Sequence, residues 1–118
     1  MSDRTRRYRL GRYAESISVW HLRLRGYRVL DRRYRTPVGE IDIIAQRGNL
    51  IAFIEVKARR TKTLAIESIT PKQRHRIRRA AGAFLGAHPT LTHCDLRFDI
   101  IMVTPWALPA HLTDAWRD

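Results

Sequence analysis

The chain has a single cysteine, Cys94, in 118 residues, which excludes an internal disulfide framework. No CxxC or HxxxH spacing joins that thiol or the five scattered histidines into a zinc site. No apolar run reaches the length of a signal-peptide core or a membrane span, so export and insertion are not expected. A cytoplasmic protein with no membrane partner fits both absences. Lysine is scarce, at Lys57, Lys62 and Lys72 only, and 11 acidic residues face 23 basic ones. The net charge of +12 is therefore carried mainly by arginine, whose planar fork matches phosphate oxygens. Because those arginines recur along most of the chain, a polyanionic partner is expected, nucleic acid before any other.

There is no internal repeat and no low-complexity segment, and the length suits one compact domain with a buried core. Residues 1–10 hold Arg4, Arg6, Arg7 and Arg9 with few apolar partners. They read as a flexible basic arm able to lie along phosphates, or as a solvated tail; the domain proper is residues 11–118. Over residues 11–25, Tyr13, Ile17, Trp20 and Leu24 follow helical spacing and are expected to form the buried stripe of a first helix that Gly26 ends. Residues 27–35, 40–47 and 50–59 read as strands, the last two joined by a Gly48-Asn49 hairpin turn. Residues 60–69 read as an exposed connection. Thr70, Pro71 and Gln73 then match an N-cap, a first-turn proline and a capping-box glutamine, opening a second helix with Ile77, Ala80, Ala81, Phe84 and Leu85 toward the core. Residues 96–103 form a last apolar strand, and the segment after Pro105 carries no clear pattern. Met102 and the tryptophans read as packing residues. The order predicts an α/β fold, a mixed central sheet of about four to five strands flanked by helices.

The chemistry concentrates on the hairpin. With Arg47 opposite Leu50, counting outward puts Ile44 opposite Phe53, Asp42 opposite Glu55 and Glu40 opposite Lys57, all on one face. The other face, with Ile41, Ile43 and Ala45 against Ala52, Ile54, Val56 and Ala58, is apolar throughout. Two carboxylates directly opposite each other repel, with Cβ atoms roughly 5 Å apart, and a cation removes that cost. Mg²⁺ suits such a pair, since it takes hard oxygen ligands from one or two carboxylates and leaves room for water and phosphate. Lys57, two residues beyond Glu55, points the same way and suits the work of orienting water or neutralising charge at phosphorus. The alternative is an exposed cross-strand ion network; against it, both acids sit in strands otherwise built of Ile, Val, Phe and Ala, where uncompensated charge is costly.

Gly39-Glu40-Ile41-Asp42-Ile43-Ile44-Ala45 and Phe53-Ile54-Glu55-Val56-Lys57 resemble the core of the PD-(D/E)xK, restriction-endonuclease-like nuclease superfamily, with Glu55-Val56-Lys57 as the (D/E)xK element. Together with Gly11-Arg12-Tyr13-Ala14-Glu15, residues 25–30, Lys72 and Arg97-Phe98-Asp99, they resemble the uncharacterised bacterial YraN family over about residues 11–103. The resemblance implies a restriction-endonuclease-like fold, similar to Holliday-junction resolvases, with Glu15, Asp42 and Glu55 around Mg²⁺ or Mn²⁺ and Lys57 beside them. Ile41 stands where the superfamily pattern has proline, a position that does not ligate metal.

Glu15 lies off the Tyr13 to Leu24 stripe and is placed to face the acidic end of the sheet. Glu40 is a candidate partner of Lys57 across the hairpin. Lys72 and Gln73 open the second helix, whose N-terminus attracts anions, although capping is the stronger expectation for Gln73. Asp99, between Phe98 and Ile100, reads as a buried, paired structural acid. The expected function is metal-dependent hydrolysis of DNA phosphodiesters, nuclease or resolvase-like. The alternative is a non-catalytic nucleic-acid-binding module on the same fold. A homodimer would suit a substrate of paired strands or junctions.

Overall fold

The computed structural model describes the backbone of residues 3–117 and the side chains of residues 9–117. Helix α1 (Asp3–Leu24) leads into strands β1 (Arg28–Thr36), β2 (Gly39–Arg47) and β3 (Leu50–Ala58). A short helix α2 (Lys62–Glu67), the long helix α3 (Pro71–Ala87) and a single 3-10 turn precede β4 (Asp95–Val103) and β5 (Ala110–Leu112). The five strands form one sheet in sequence order, antiparallel except for β3 and β4, which run parallel across the α3 crossover. This is the expected mixed sheet flanked by helices, consistent with a restriction-endonuclease-like fold.

Each helix covers one face. On the α1 side, Ala14, Val19, Leu22 and Tyr27 pack on Ile43, Ala45, Ala52, Ile54, Ile101 and Val103. On the α3 side, Ile77, Ala80, Ala81 and Phe84 pack on Ile41, Ile44, Ile51, Phe53, Ile100 and Met102. β3 lies at the centre of the sheet and is covered on both sides, which is why Ile51 to Ile54 form a continuous buried apolar run. Glu55, the next residue, is also buried and is the first charge in that run.

Several expectations change. The first helix begins at Asp3, so the stretch read as a basic arm is helical from that residue; Met1 and Ser2 lie outside the described residues. The stripe Tyr13, Trp20 and Leu24 faces outward, and the buried face is Ala14, Glu15, Ser18, Val19 and Leu22. Small residues decide this: Ala14 and Ser18 let α1 approach the sheet closely, and Ser18 satisfies its buried hydroxyl on the Ala14 carbonyl at 2.7 Å. Residues 60–69 contain α2, capped by the Thr61 hydroxyl and pinned by the buried Ala65, with Ile69 buried beyond its end. The unassigned C-terminal segment supplies β5, and Trp116 stacks on Phe98 at 5.5 Å. Trp20 and Trp106 are exposed, contrary to a packing role. Gly26 closes α1 at φ +85°, with the Tyr27 N–H donating to the Leu22 carbonyl, as a terminal glycine should.

Gly39 has a different task. It is buried where β2 crosses α3, and a Cβ at this position would run into the backbone carbonyl of Arg76. A helix backbone cannot step aside the way a side-chain tip can. Gly39→Ala is therefore expected to push α3 off β2 and to cost about 1–3 kcal/mol in urea unfolding. Unchanged stability would show that the two elements pack less tightly than described.

An acid pair beside an arginine-lined cleft

The hairpin turns at Gly48, at φ +59°, and its register is the expected one: Arg47 pairs with Leu50, and the ladder runs to Ile43 opposite Ile54. There it stops. At the next step the Asp42 side chain, not its backbone, engages β3: Oδ2 accepts the Val56 N–H at 2.8 Å. The strands part at this point, and Ile41, expected beside Ile43, packs instead on the α3 side with Ile44. The Asp42 and Glu55 carboxyl groups remain within hydrogen-bonding reach of each other.

The pair sits in poor solvent. Burial raises the Asp42 pKa above its ordinary value, with the Val56 N–H only partly opposing it. Glu55 is pushed up to about 8, first by burial and then by the Asp42 charge, against the pull of Lys57. Lys57 Nζ lies 3.3 Å from Glu55 Oε1, and Gln73 Nε2 donates to the same oxygen at 3.1 Å. Thus α3 delivers Gln73 to the acid pair, while its backbone N–H takes the Thr70 cap at 3.1 Å. Capping by the Gln73 side chain, the stronger expectation, gives way to this bond because the first turn of α3 lies against Glu55.

The remaining candidates divide. Glu15 is buried and held by two arginines, Arg32 at 3.1 Å and Arg33 at 3.0 Å. It acts on Asp42 through its charge. Among the described residues no group of three or more His, Cys, Asp or Glu side chains is gathered for a metal, so Glu15 does not complete a three-acid set here. Glu40 is exposed and pairs loosely with Arg35 at 3.8 Å rather than with Lys57, because the ladder has already parted. Lys72 is exposed and lines a pocket of about 210 Å³ with Asp42, Glu55, Gln73 and Arg76. On the other side of the pair lies a larger cleft of about 490 Å³, bordered by Asp42, Arg12, Arg33, Arg35, Lys57 and Arg59. The arginine ring and the Glu15 pairings carried no signal in the sequence, since basic residues are spread throughout it.

Asp99 stands apart from this site. It is fully buried and accepts from Arg97 Nε and Nη2, each at 2.8 Å, from His111 Nε2 at 2.7 Å and from the Asp114 N–H at 2.9 Å. It is a paired structural acid, as its sequence position suggested.

The pattern of the Uncharacterised protein family UPF0102 matches residues 14–103, about three-quarters of the chain and every residue of the acid pair and its neighbours. The chain belongs to the UPF0102 family. This is the YraN-type family that the hairpin motifs resembled. A UPF0102 protein of Paramagnetospirillum magneticum is 50% identical over 113 residues, covering 92% of this chain and 88% of its own. One from Parvibaculum lavamentivorans is 49% identical over 110 residues, covering 93% and 83%. A third, from Bradyrhizobium diazoefficiens, is 47% identical over 114 residues, covering 97% and 86%. Among the described residues of this UPF0102 chain, no helix is long and apolar enough to cross a membrane.

Proposed function

We propose that the cleft beside Asp42 and Glu55 hydrolyses nucleic-acid phosphodiesters, DNA being the expected substrate, with Mg²⁺ or Mn²⁺ held by the two carboxylates. The observation that carries this reading is the pair itself: a buried Glu55 and a half-buried Asp42 within hydrogen-bonding reach of each other on adjacent apolar strands, with the Lys57 ammonium 3.3 Å from Glu55. A structural sheet gains nothing from that arrangement, since the pair opposes its own ionisation. The donor set fits a hard cation: the Asp42 and Glu55 carboxylates, with Glu15 and Glu40 also on the lining, no thiol or imidazole there, and open cleft volume for water and phosphate. When bound, the cation supplies Lewis-acid polarisation of a phosphoryl oxygen and an activated water.

The chain's own groups do the rest. Val56 N–H fixes one Asp42 oxygen, and Gln73 fixes one Glu55 oxygen, so each carboxylate presents its other oxygen in a defined direction. Lys57 Nζ is close enough to orient the attacking water and to neutralise charge gathering on the phosphoryl oxygens. Arginines lining the cleft hold phosphates to either side. The proposed place of action is the cytoplasm, where a free thiol such as Cys94 stays reduced. A two-fold dimer would present two such sites to paired strands.

The test is incubation of the pure protein with linear, nicked, forked and four-way-junction DNA, with Mg²⁺, Mn²⁺ or chelator. Metal-dependent cleavage of at least one substrate supports the reading; DNA binding without cleavage under any condition leaves a binding module on the same fold. Binding itself is expected to be steeply salt-dependent, with log K falling by about 0.9 for each phosphate neutralised as log salt rises. Salt-independent binding, or none at low salt, would contradict a nucleic-acid role for the +12 charge.

A further inference from the structure

Consecutive residues of a strand project to opposite faces, so Arg32 and Arg33 of β1 should not reach one carboxylate. Both reach Glu15. Arg32 Nε lies 3.1 Å from Oε1, and Arg33 Nε lies 3.2 Å from Oε1 and 3.0 Å from Oε2. The backbone explains it: Arg33 is left-handed, at φ +50°, a conformation that costs a residue with a side chain on the order of 1 kcal/mol or more. The register locates the twist, because Arg32 pairs with Ile43 and Tyr34 with Ile41, which leaves Arg33 directly across from Asp42.

The side chains show what the strain secures. The Glu15 side chain is only 9% exposed and that of Arg33 is 32% exposed. Glu15 takes the Nε edge of Arg33, and the two Nη atoms make no hydrogen bond among the described residues, while the residue lines the cleft beside Asp42. A guanidinium anchored through Nε keeps its terminal N–H donors in a fixed plane, the arrangement that donates to two phosphate oxygens at little further entropic cost. The Glu15 carboxylate, in turn, is occupied by two cations.

We propose that Arg33 binds a non-reacting phosphate of the substrate backbone next to the acid pair, and that Glu15 is its positioning residue and not a ligand of the metal. This rests on the reading of the cleft as a nucleic-acid site. The assignment inverts what charge alone predicts for Glu15. Removing an acid beside a phosphate path should tighten DNA binding, whereas removing the anchor of a phosphate-binding arginine should weaken it.

The experiment measures affinity for a short DNA duplex in chelator across a salt series, for wild type, Glu15→Gln and Arg33→Gly. Glycine adopts φ +50° without strain, so Arg33→Gly preserves the turn and keeps the test valid if Glu15→Gln folds poorly. The expected result is roughly tenfold weaker binding for Arg33→Gly, with the slope of log K against log salt reduced by about 0.9, one phosphate contact. Glu15→Gln weakens binding in the same direction and reduces the same slope. Wild-type binding with both variants as tight or tighter, at an unchanged slope, overturns this proposal and leaves the nucleic-acid reading intact. Failure of the wild type to bind DNA at any salt overturns that reading, and the phosphate site with it.

Discussion

Asp42→Ala and Glu55→Ala should each reduce metal-dependent cleavage below detection, whereas Lys57→Ala should leave a residual rate. The difference follows from what each group touches. Asp42 and Glu55 are in contact and carry the oxygens available to a cation, so losing either one removes half of the protein's donor set. Lys57 contacts Glu55 at 3.3 Å and, as a cation, acts on charge rather than holding the metal. Loss of one preorganised charge-stabilising donor costs roughly a hundredfold to a thousandfold in rate. Metal affinity should survive Lys57→Ala; DNA affinity in chelator should hold or rise in Asp42→Ala, which removes an acid near phosphate, and hold in Glu55→Ala, because a carboxyl pushed up to about 8 carries little charge at neutral pH without a cation. Equal, complete loss of metal binding in all three would mean that Lys57 is needed to assemble the pair.

Asp99→Asn is expected to have the largest effect on stability, about 3 kcal/mol or more at neutral pH. One buried carboxylate here holds Arg97, His111 and the Asp114 backbone, so it ties β4 to the C-terminal segment that carries β5 and Trp116. Removing the charge leaves the Arg97 guanidinium, itself only 17% exposed, without its counterion, and breaking such a pair typically costs 3–5 kcal/mol. For a chain of this length that corresponds to a Tm lower by roughly 10 °C or more. Burial acts to raise the Asp99 pKa, but the hydrogen bonds from His111, Arg97 and the Asp114 N–H together outweigh it and hold the pKa below the ordinary value. Because the folded pKa is the lower one, the stabilisation is complete above about pH 4, the unfolded value, and fades as pH falls through the folded value. The gap between wild type and Asp99→Asn in urea unfolding should therefore be full at pH 7 and shrink in acid. A gap independent of pH would assign the loss to packing.

What could be read in advance follows from how local its causes are. The Gly48 turn and period-two alternation define the β2–β3 register within a few residues of chain, and the Thr70 cap with Pro71 marks the start of α3 equally locally. That register brings Asp42 toward Glu55, although the ladder ends at Ile43 and Ile54 and the Asp42 side chain makes the last link to β3 through the Val56 N–H. The outward face of α1 misled because Tyr13, Trp20 and Leu24 dominate any hydrophobic count, whereas the sheet selects for closeness and takes Ala14 and Ser18. β5 is three residues long and exists because β4 offers an edge and Asp99 offers a partner, neither visible in residues 110–112 themselves. The hold on Glu15 depends on one left-handed arginine, a backbone choice that no residue type announces outside glycine and asparagine. Gln73 is the intermediate case: its place in the first turn was clear, but its partner was set by how α3 packs on β3.

The central claim is that Asp42 and Glu55 form a cation site, and calorimetric titration of Mn²⁺ into the protein without nucleic acid tests it most directly. Saturable binding of one ion to the wild type is expected, lost or weakened at least tenfold in Asp42→Asn and in Glu55→Gln and retained in Lys57→Ala. No saturable binding to the wild type, or binding that both acid substitutions leave unchanged, would contradict it.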